Sequence, residues 1–105
     1  MAISHTDGYL GYLSCTEKVY QHSEHLLSVS LIDYRNKIEA LGDRETVKFF
    51  NQNQQDWLNY RDSTCRYLSS SAIKGSDAYT HLYQFCTLID NYNRIDFLNR
   101  PIPIS

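Results

Sequence analysis

The stretch Cys65-Arg66-Tyr67-Leu68-Ser69-Ser70-Ser71-Ala72-Ile73-Lys74-Gly75-Ser76-Asp77-Ala78-Tyr79-Thr80-His81-Leu82-Tyr83-Gln84-Phe85-Cys86 decides the fold. Near its middle a glycine precedes a serine, which is how one helix is closed and the next one opened: glycine takes the left-handed conformation without penalty, and serine caps the free amides of a first turn. Cys65 lies ten residues before Gly75 and Cys86 lies ten after Ser76. In a hairpin turning at that pair, with the serine run largely helical, the two cysteines stand at the same height. A disulfide then becomes available, since it needs α-carbons only about 5–6 Å apart. It would add about 3 kcal/mol on the loop-entropy model, against the ~5 kcal/mol that a chain of this size can hold. The competing arrangement is a pair of buried free thiols in a cytosolic bundle. With three cysteines only one bridge can form, and Cys15, far from the turn, is then a free thiol or an intermolecular link.

Working outward, Pro101 and Pro103 end the last helix near Leu98, because proline cannot continue a helix and disfavours helical geometry in the residue before it. Tyr79, Leu82, Cys86, Ile89, Asn93 and Phe97 share one side of that helix at steps of three or four. Upstream, a second stripe runs Val47, Phe50, Gln54, Trp57, Arg61, Cys65 and Leu68, introduced by Asp43 as an N-cap. Gln54 and Arg61 are polar where a plain core is apolar, so each must have a specific partner. Gly42 closes the first helix, whose stripe is Val19, Leu26, Leu27, Ser30, Tyr34, Ile38 and Leu41. Ser14-Cys15-Thr16-Glu17 has the form of a capping box and predicts where that helix starts. The expectation is an all-α, disulfide-stabilised antiparallel bundle of three helices over about 15–41, 44–72 and 77–98. It forms one domain, 1–105, with a flexible N-terminus and a proline-containing tail, 99–105.

Composition bounds the function. A chain of 105 residues holds one core. A formal charge of −2 with both signs interspersed leaves no basic stripe for nucleic acid. No apolar run approaches the ~20 residues of a membrane span, and the N-terminus has neither the basic start nor the apolar run of a signal peptide. Nine tyrosines allow either helix-edge packing or a tyrosine-rich binding face.

The residues that could carry chemistry do not assemble into a site. His22 and His25 are three apart, without the spacing or the glutamate of a zinc protease motif and without a third ligand, so no metal is expected. Cys15 has no histidine or acid in register to make it a nucleophile. Asp33, Asp62 and Asp90 each precede a basic residue by four positions (Lys37, Arg66 and Arg94), the spacing of helix-surface ion pairs rather than of a general acid and base. No glycine-rich loop exists to hold a phosphate. The reading is a non-enzymatic protein without a cofactor.

The run Gln54-Gln55-Asp56-Trp57-Leu58-Asn59-Tyr60-Arg61-Asp62-Ser63-Thr64-Cys65 resembles the signature of the LprI-type lysozyme-inhibitor domain family: Gln, two residues, Trp, three residues, Arg-Asp, two residues, Cys. Gly75-Ser76 is similar to that family's hairpin turn. Cys86, followed eight residues later by Arg94 and then by Leu98, is similar to its closing pattern, and Tyr34, Ile38 and Leu41 fit its first helix. The resemblance covers residues 15–98. It implies that Gln54, Trp57, Arg61, Asp62 and Arg94 are structural motif positions, and that the chain is periplasmic or secreted. The implied partner is a lysozyme-like muramidase, bound and inhibited, with an immunity protein as a specialised case. An envelope interaction module on the same scaffold is the alternative. Family members commonly carry a further cysteine pair near the N-terminus, so the solitary Cys15 predicts that one family bridge is absent. The expected mode is occlusion of the enzyme's cleft, with Tyr9, Tyr12 or Tyr83 as anchors and a carboxylate entering the cleft.

Overall fold

The computed structural model describes the backbone of residues 5–101 and the side chains of residues 11–101. Three helices follow one another: α1 (His5–Ala40), α2 (Arg44–Ser69) and α3 (Asp77–Leu98). α2 runs antiparallel to both neighbours, and α3 packs against both α1 and α2, which touch each other little.

Both turns form as their residues dictate. Gly42 has φ +76° and Gly75 φ +85°, a conformation in which a side chain is strained. Beyond Gly42 the Asp43 carboxylate accepts from the Glu45 and Thr46 amides at 3.0 and 3.4 Å, and beyond Gly75 the Ser76 hydroxyl accepts from the Tyr79 amide at 3.1 Å. α2 closes at Ser69, three residues short of the expected end, where Ser70 turns its amide back to the Tyr67 carbonyl. α3 keeps its expected bounds.

The start of α1 differs from the capping-box expectation. The helix begins at His5 and runs straight through Ser14, so 15–41 was too short a range. A capping box stops a helix only where the preceding residues have nothing to pack on. Here Leu13 is half-buried and the Tyr12 ring lies 4.8 Å from the His81 ring of α3, so tertiary contact carries α1 past the box. Residues 1–4 and 102–105, parts of the predicted flexible ends, lie outside the described residues.

At ~1.5 Å per residue, a 36-residue α1 is about 54 Å long and sets the 58 Å long axis of a body only 30 by 18 Å across. So thin a body has little interior. Its apolar core is Leu27, Ile38, Phe50 and Leu98, supported by Leu31, Tyr34, Val47, Trp57 and Ile95, and it occupies the end nearest the α1–α2 turn. Among the described residues the opposite half shows no comparable core, and the Cys65–Cys86 bridge spans α2 and α3 there.

The expected stripe of α3 is the clearest correction. Its buried residues are Thr87, Asn91, Arg94 and Leu98, whereas Leu82, Ile89 and Phe97 are exposed by 37, 43 and 43%. Val19, Leu41 and Leu68, expected inside, also face solvent. The inner face of α3 is largely polar, with Asn91 accepting from Arg61 and Arg94 donating to Gln54, so hydrophobic periodicity selected the outer face.

Candidate functional site

Four residues from three helices form a polar layer across the middle of the bundle. Arg61 of α2 donates from one terminal nitrogen to Glu24 Oε1 of α1 at 3.0 Å and to Asn91 Oδ1 of α3 at 2.6 Å. Asn91, fully buried, donates in turn to Ser23 Oγ at 3.0 Å and to Glu24 Oε1 at 2.9 Å. Ser23, also fully buried, donates to the Tyr20 carbonyl at 2.7 Å. The layer crosslinks the helices through one charge pair and neutral amides, an arrangement that specifies how they register. Burial, and secondarily the Glu24 charge, pushes the Tyr20 phenol above its usual pKa.

The partner demanded by Gln54 lies nearer the core. Arg94 Nε donates to Gln54 Oε1 at 3.0 Å and its terminal nitrogen to Asn53 Oδ1 at 2.7 Å. No carboxylate among the described residues pairs with this guanidinium. It lies instead over the rings of Phe97, Trp57 and Phe50 at 4.9, 5.5 and 5.8 Å from their centroids. Burial holds its pKa below the ordinary value. The Asp90–Arg94 pair suggested by spacing therefore does not form, whereas Asp33–Lys37 and Asp62–Arg66 do, at 3.0 and 3.2 Å. Arg94 turns inward because Gln54, 4% exposed, requires its donor.

On the other side of the polar layer, Cys65 and Cys86 are joined by a disulfide with α-carbons 5.5 Å apart. Asp90 Oδ2 lies 3.6 Å from the Cys65 sulfur, and burial raises the pKa of this carboxyl, with the Arg61 charge opposing. Cys65, Cys86 and Asp90 cluster tightly enough for a metal, but both sulfurs are used in the bridge. Cys15 is exposed and unbridged. His22 and His25 are both exposed.

The end beyond the disulfide carries two further surfaces. One is an open cavity of about 340 Å³ lined by Arg66, Lys74, Tyr79 and Tyr83. The Tyr79 and Tyr83 rings are nearly parallel, at 9°, with centroids 6.5 Å apart. The Tyr83 hydroxyl donates to Asp62 at 2.8 Å, and burial together with that carboxylate pushes its pKa up to about 12. The other surface is a groove of about 310 Å³ formed by Thr64, Leu68, Leu82, Phe85, Cys86, Ile89 and Asp90. Of the expected anchors, Tyr83 is half-buried and tied to Asp62, Tyr12 is 54% exposed beside His81, and the side chain of Tyr9 lies outside the described residues.

Sequence reasoning singled out Gln54 and Arg61 as needing partners, and the resemblance added Trp57, Asp62 and Arg94 as motif positions. It missed Ser23, Glu24, Asn53 and Asn91. Asn91 at the step of seven from Gln84 and of three from Arg94 carries no hydrophobic signal, and only the demand made by Arg61 could have pointed to it.

These features define a class: a small disulfide-braced three-helix bundle whose motif residues are used in its own interior. The model of the family described as lysozyme inhibitor LprI matches residues 4–98, and the chain belongs to that family. No curated protein and no solved structure matches the chain. Family membership gives the general function, inhibition of lysozyme, which is binding rather than catalysis. No described helix is long and apolar enough to cross a membrane.

Proposed function

We propose that this protein works in the periplasm or as a secreted protein, where it binds a lysozyme-like muramidase and blocks its cleft. Protection of the producing cell from a wall-degrading enzyme, as an immunity protein, is a specialised form of the same act. The observation that carries the reading is the family match over residues 4–98. The Cys65–Cys86 bridge supports the compartment, because structural disulfides persist where the surroundings are oxidising. The thin, crosslinked body supports occlusion: a rigid partner loses little freedom on binding. Residual muramidase activity, measured over a panel of lysozymes with micromolar protein, tests this reading directly. Activity unchanged across the panel would refute it.

A second reading, a non-inhibitory envelope interaction module, is favoured by one observation. Leu68, Leu82, Phe85 and Ile89 leave an apolar groove open beside the disulfide. Co-purification of a protein other than a muramidase from the native host would select this reading.

A further inference from the structure

The inhibited enzyme class has a fixed electrostatic feature. A glycoside hydrolase that cuts wall glycan places a pair of carboxyl groups across the bond it breaks, roughly 5 to 9.5 Å apart. A surface that enters such a cleft must bring donors and positive charge rather than carboxylates, because like charges brought together cost several kcal/mol.

The concave surfaces of this chain differ sharply by that criterion. The cavity beside the α1–α2 turn includes Glu39 and Asp43 with Arg44. The one between α1 and the start of α3 includes Glu17 and Asp77. The apolar groove includes Asp90. The cavity at the α2–α3 hairpin end is lined by Arg66, Lys74, Tyr79 and Tyr83; the nearby Asp62 carboxylate is not in its lining and is taken up by Arg66 and Tyr83, which leaves Lys74 as the uncompensated charge.

Two of its residues keep donors free. Arg66 uses Nε for Asp62, at 3.2 Å, and its terminal amino groups make no hydrogen bond to the described residues. Lys74 has no ion-pair partner among the described residues. It stands in the turn directly before Gly75, next to Ile73, which is 82% exposed. The Tyr83 phenol, held protonated by Asp62 and burial, forms a fixed wall beneath them. The bridge between Cys65 and Cys86 braces both helices of this hairpin end, so its donors are presented on a stiff support.

We propose that the α2–α3 hairpin end is the inhibitory face, with Lys74 and Arg66 recognising the paired carboxylates of a muramidase cleft. This rests on the function proposed above and reverses the charge of the group expected from sequence: a cation, rather than a carboxylate, enters the cleft. Ile73 and the Tyr79 ring supply the apolar contact around the charges.

The test measures inhibition constants against a muramidase that the wild-type protein inhibits. Lys74→Glu and Arg66→Glu are compared with Lys48→Glu, a reversal on the exposed surface of α2 near its other end. Circular dichroism establishes that each variant is folded. The expected result is at least about a tenfold weaker inhibition for Lys74→Glu and Arg66→Glu, with Lys48→Glu within about threefold of wild type. Binding measured by calorimetry should also be lost when the cleft is filled beforehand with an N-acetylglucosamine trimer. If the wild type inhibits but Lys74→Glu and Arg66→Glu inhibit equally well, or if the trimer does not compete, the face assignment falls and the inhibitor function stands. If the wild type inhibits no muramidase, both fall together.

Discussion

Arg94 offers the sharpest test of how this bundle is held. It is 7% exposed, has no counter-charge among the described residues, and donates to the amide of Gln54, itself 4% exposed. Replacing Arg94 by Ala removes a charge-assisted hydrogen bond worth about 1.5–3 kcal/mol and leaves the Gln54 oxygen buried and unpaired, a further ~1–3 kcal/mol. The Gln54 nitrogen already lacks a partner, so the whole amide becomes orphaned. The bond to Asn53 counts for little, because Asn53 is exposed and water replaces the donor. Relief of the desolvated charge offsets part of the loss, and the net expectation is about 3 kcal/mol. Arg94→Met, which refills the space between Phe50, Trp57 and Phe97, should lose about 2 kcal/mol, mostly through Gln54. The pair Arg94→Met with Gln54→Leu should return to within about 1 kcal/mol of wild type, since a buried charge and its partner can be exchanged together for apolar groups. Urea unfolding followed by far-ultraviolet circular dichroism measures each step, with an unchanged slope showing that the same surface is exposed. A loss below about 1 kcal/mol for Arg94→Ala, or a double variant no better than Arg94→Met, would refute this account. The double variant should inhibit as wild type does, which distinguishes an interior role from contact with the enzyme.

Replacing Cys65 and Cys86 together by Ala should cost about 3 kcal/mol, given a sequence separation of 21 residues, and lower the melting temperature by roughly 12–24 °C. Asp90 has a raised pKa, chiefly from burial, so its ionised form opposes folding. Stability it contributes is present below the unfolded carboxylate pKa and is lost as pH rises through the folded value. Asp90→Asn should therefore raise the urea midpoint at neutral pH and make little difference in acid, and the opposite ordering would contradict the burial argument. The absorbance titration of Tyr83→Phe, subtracted from that of wild type, should isolate one phenol with a midpoint of about 12, and Asp62→Asn should bring that phenol down towards 10.

Local chemistry made the turns legible in the sequence. Gly42 with Asp43 and Gly75 with Ser76 encode their conformations in adjacent residues, and the symmetric placement of Cys65 and Cys86 about the second turn followed from counting along it. The need of Gln54 and Arg61 for partners was legible too, since a polar residue on an apolar stripe is a debt that burial imposes. Who meets that need was not, because Gln54 pairs with Arg94 forty positions away and Arg61 with Asn91 thirty away. Without knowing that α3 turns a polar face inward, hydrophobic spacing selects Leu82, Ile89 and Phe97, the residues that lie outside.

The same inversion explains why the family signature reveals the scaffold and leaves the target unnamed. Trp57, Arg61, Asp62 and Cys65 act within the bundle: on Arg94, on Glu24 and Asn91, on Tyr83 and Arg66, and on Cys86. Trp57, Arg61 and Cys65 make these contacts between helices, whereas the Asp62 side chain remains 41% exposed. Asp62 stands at the boundary, because it holds Tyr83 and Arg66 while both line the hairpin cavity. Asp62→Asn should therefore loosen the Arg66 and Tyr83 side chains without removing a donor from the cavity. On the face assignment, it should weaken inhibition less than Arg66→Glu does, and mainly by speeding dissociation. Stopped-flow displacement of a labelled muramidase resolves the two rates. An unchanged dissociation rate would mean that the motif carboxylate supports only the fold and has no hold on the face it underlies.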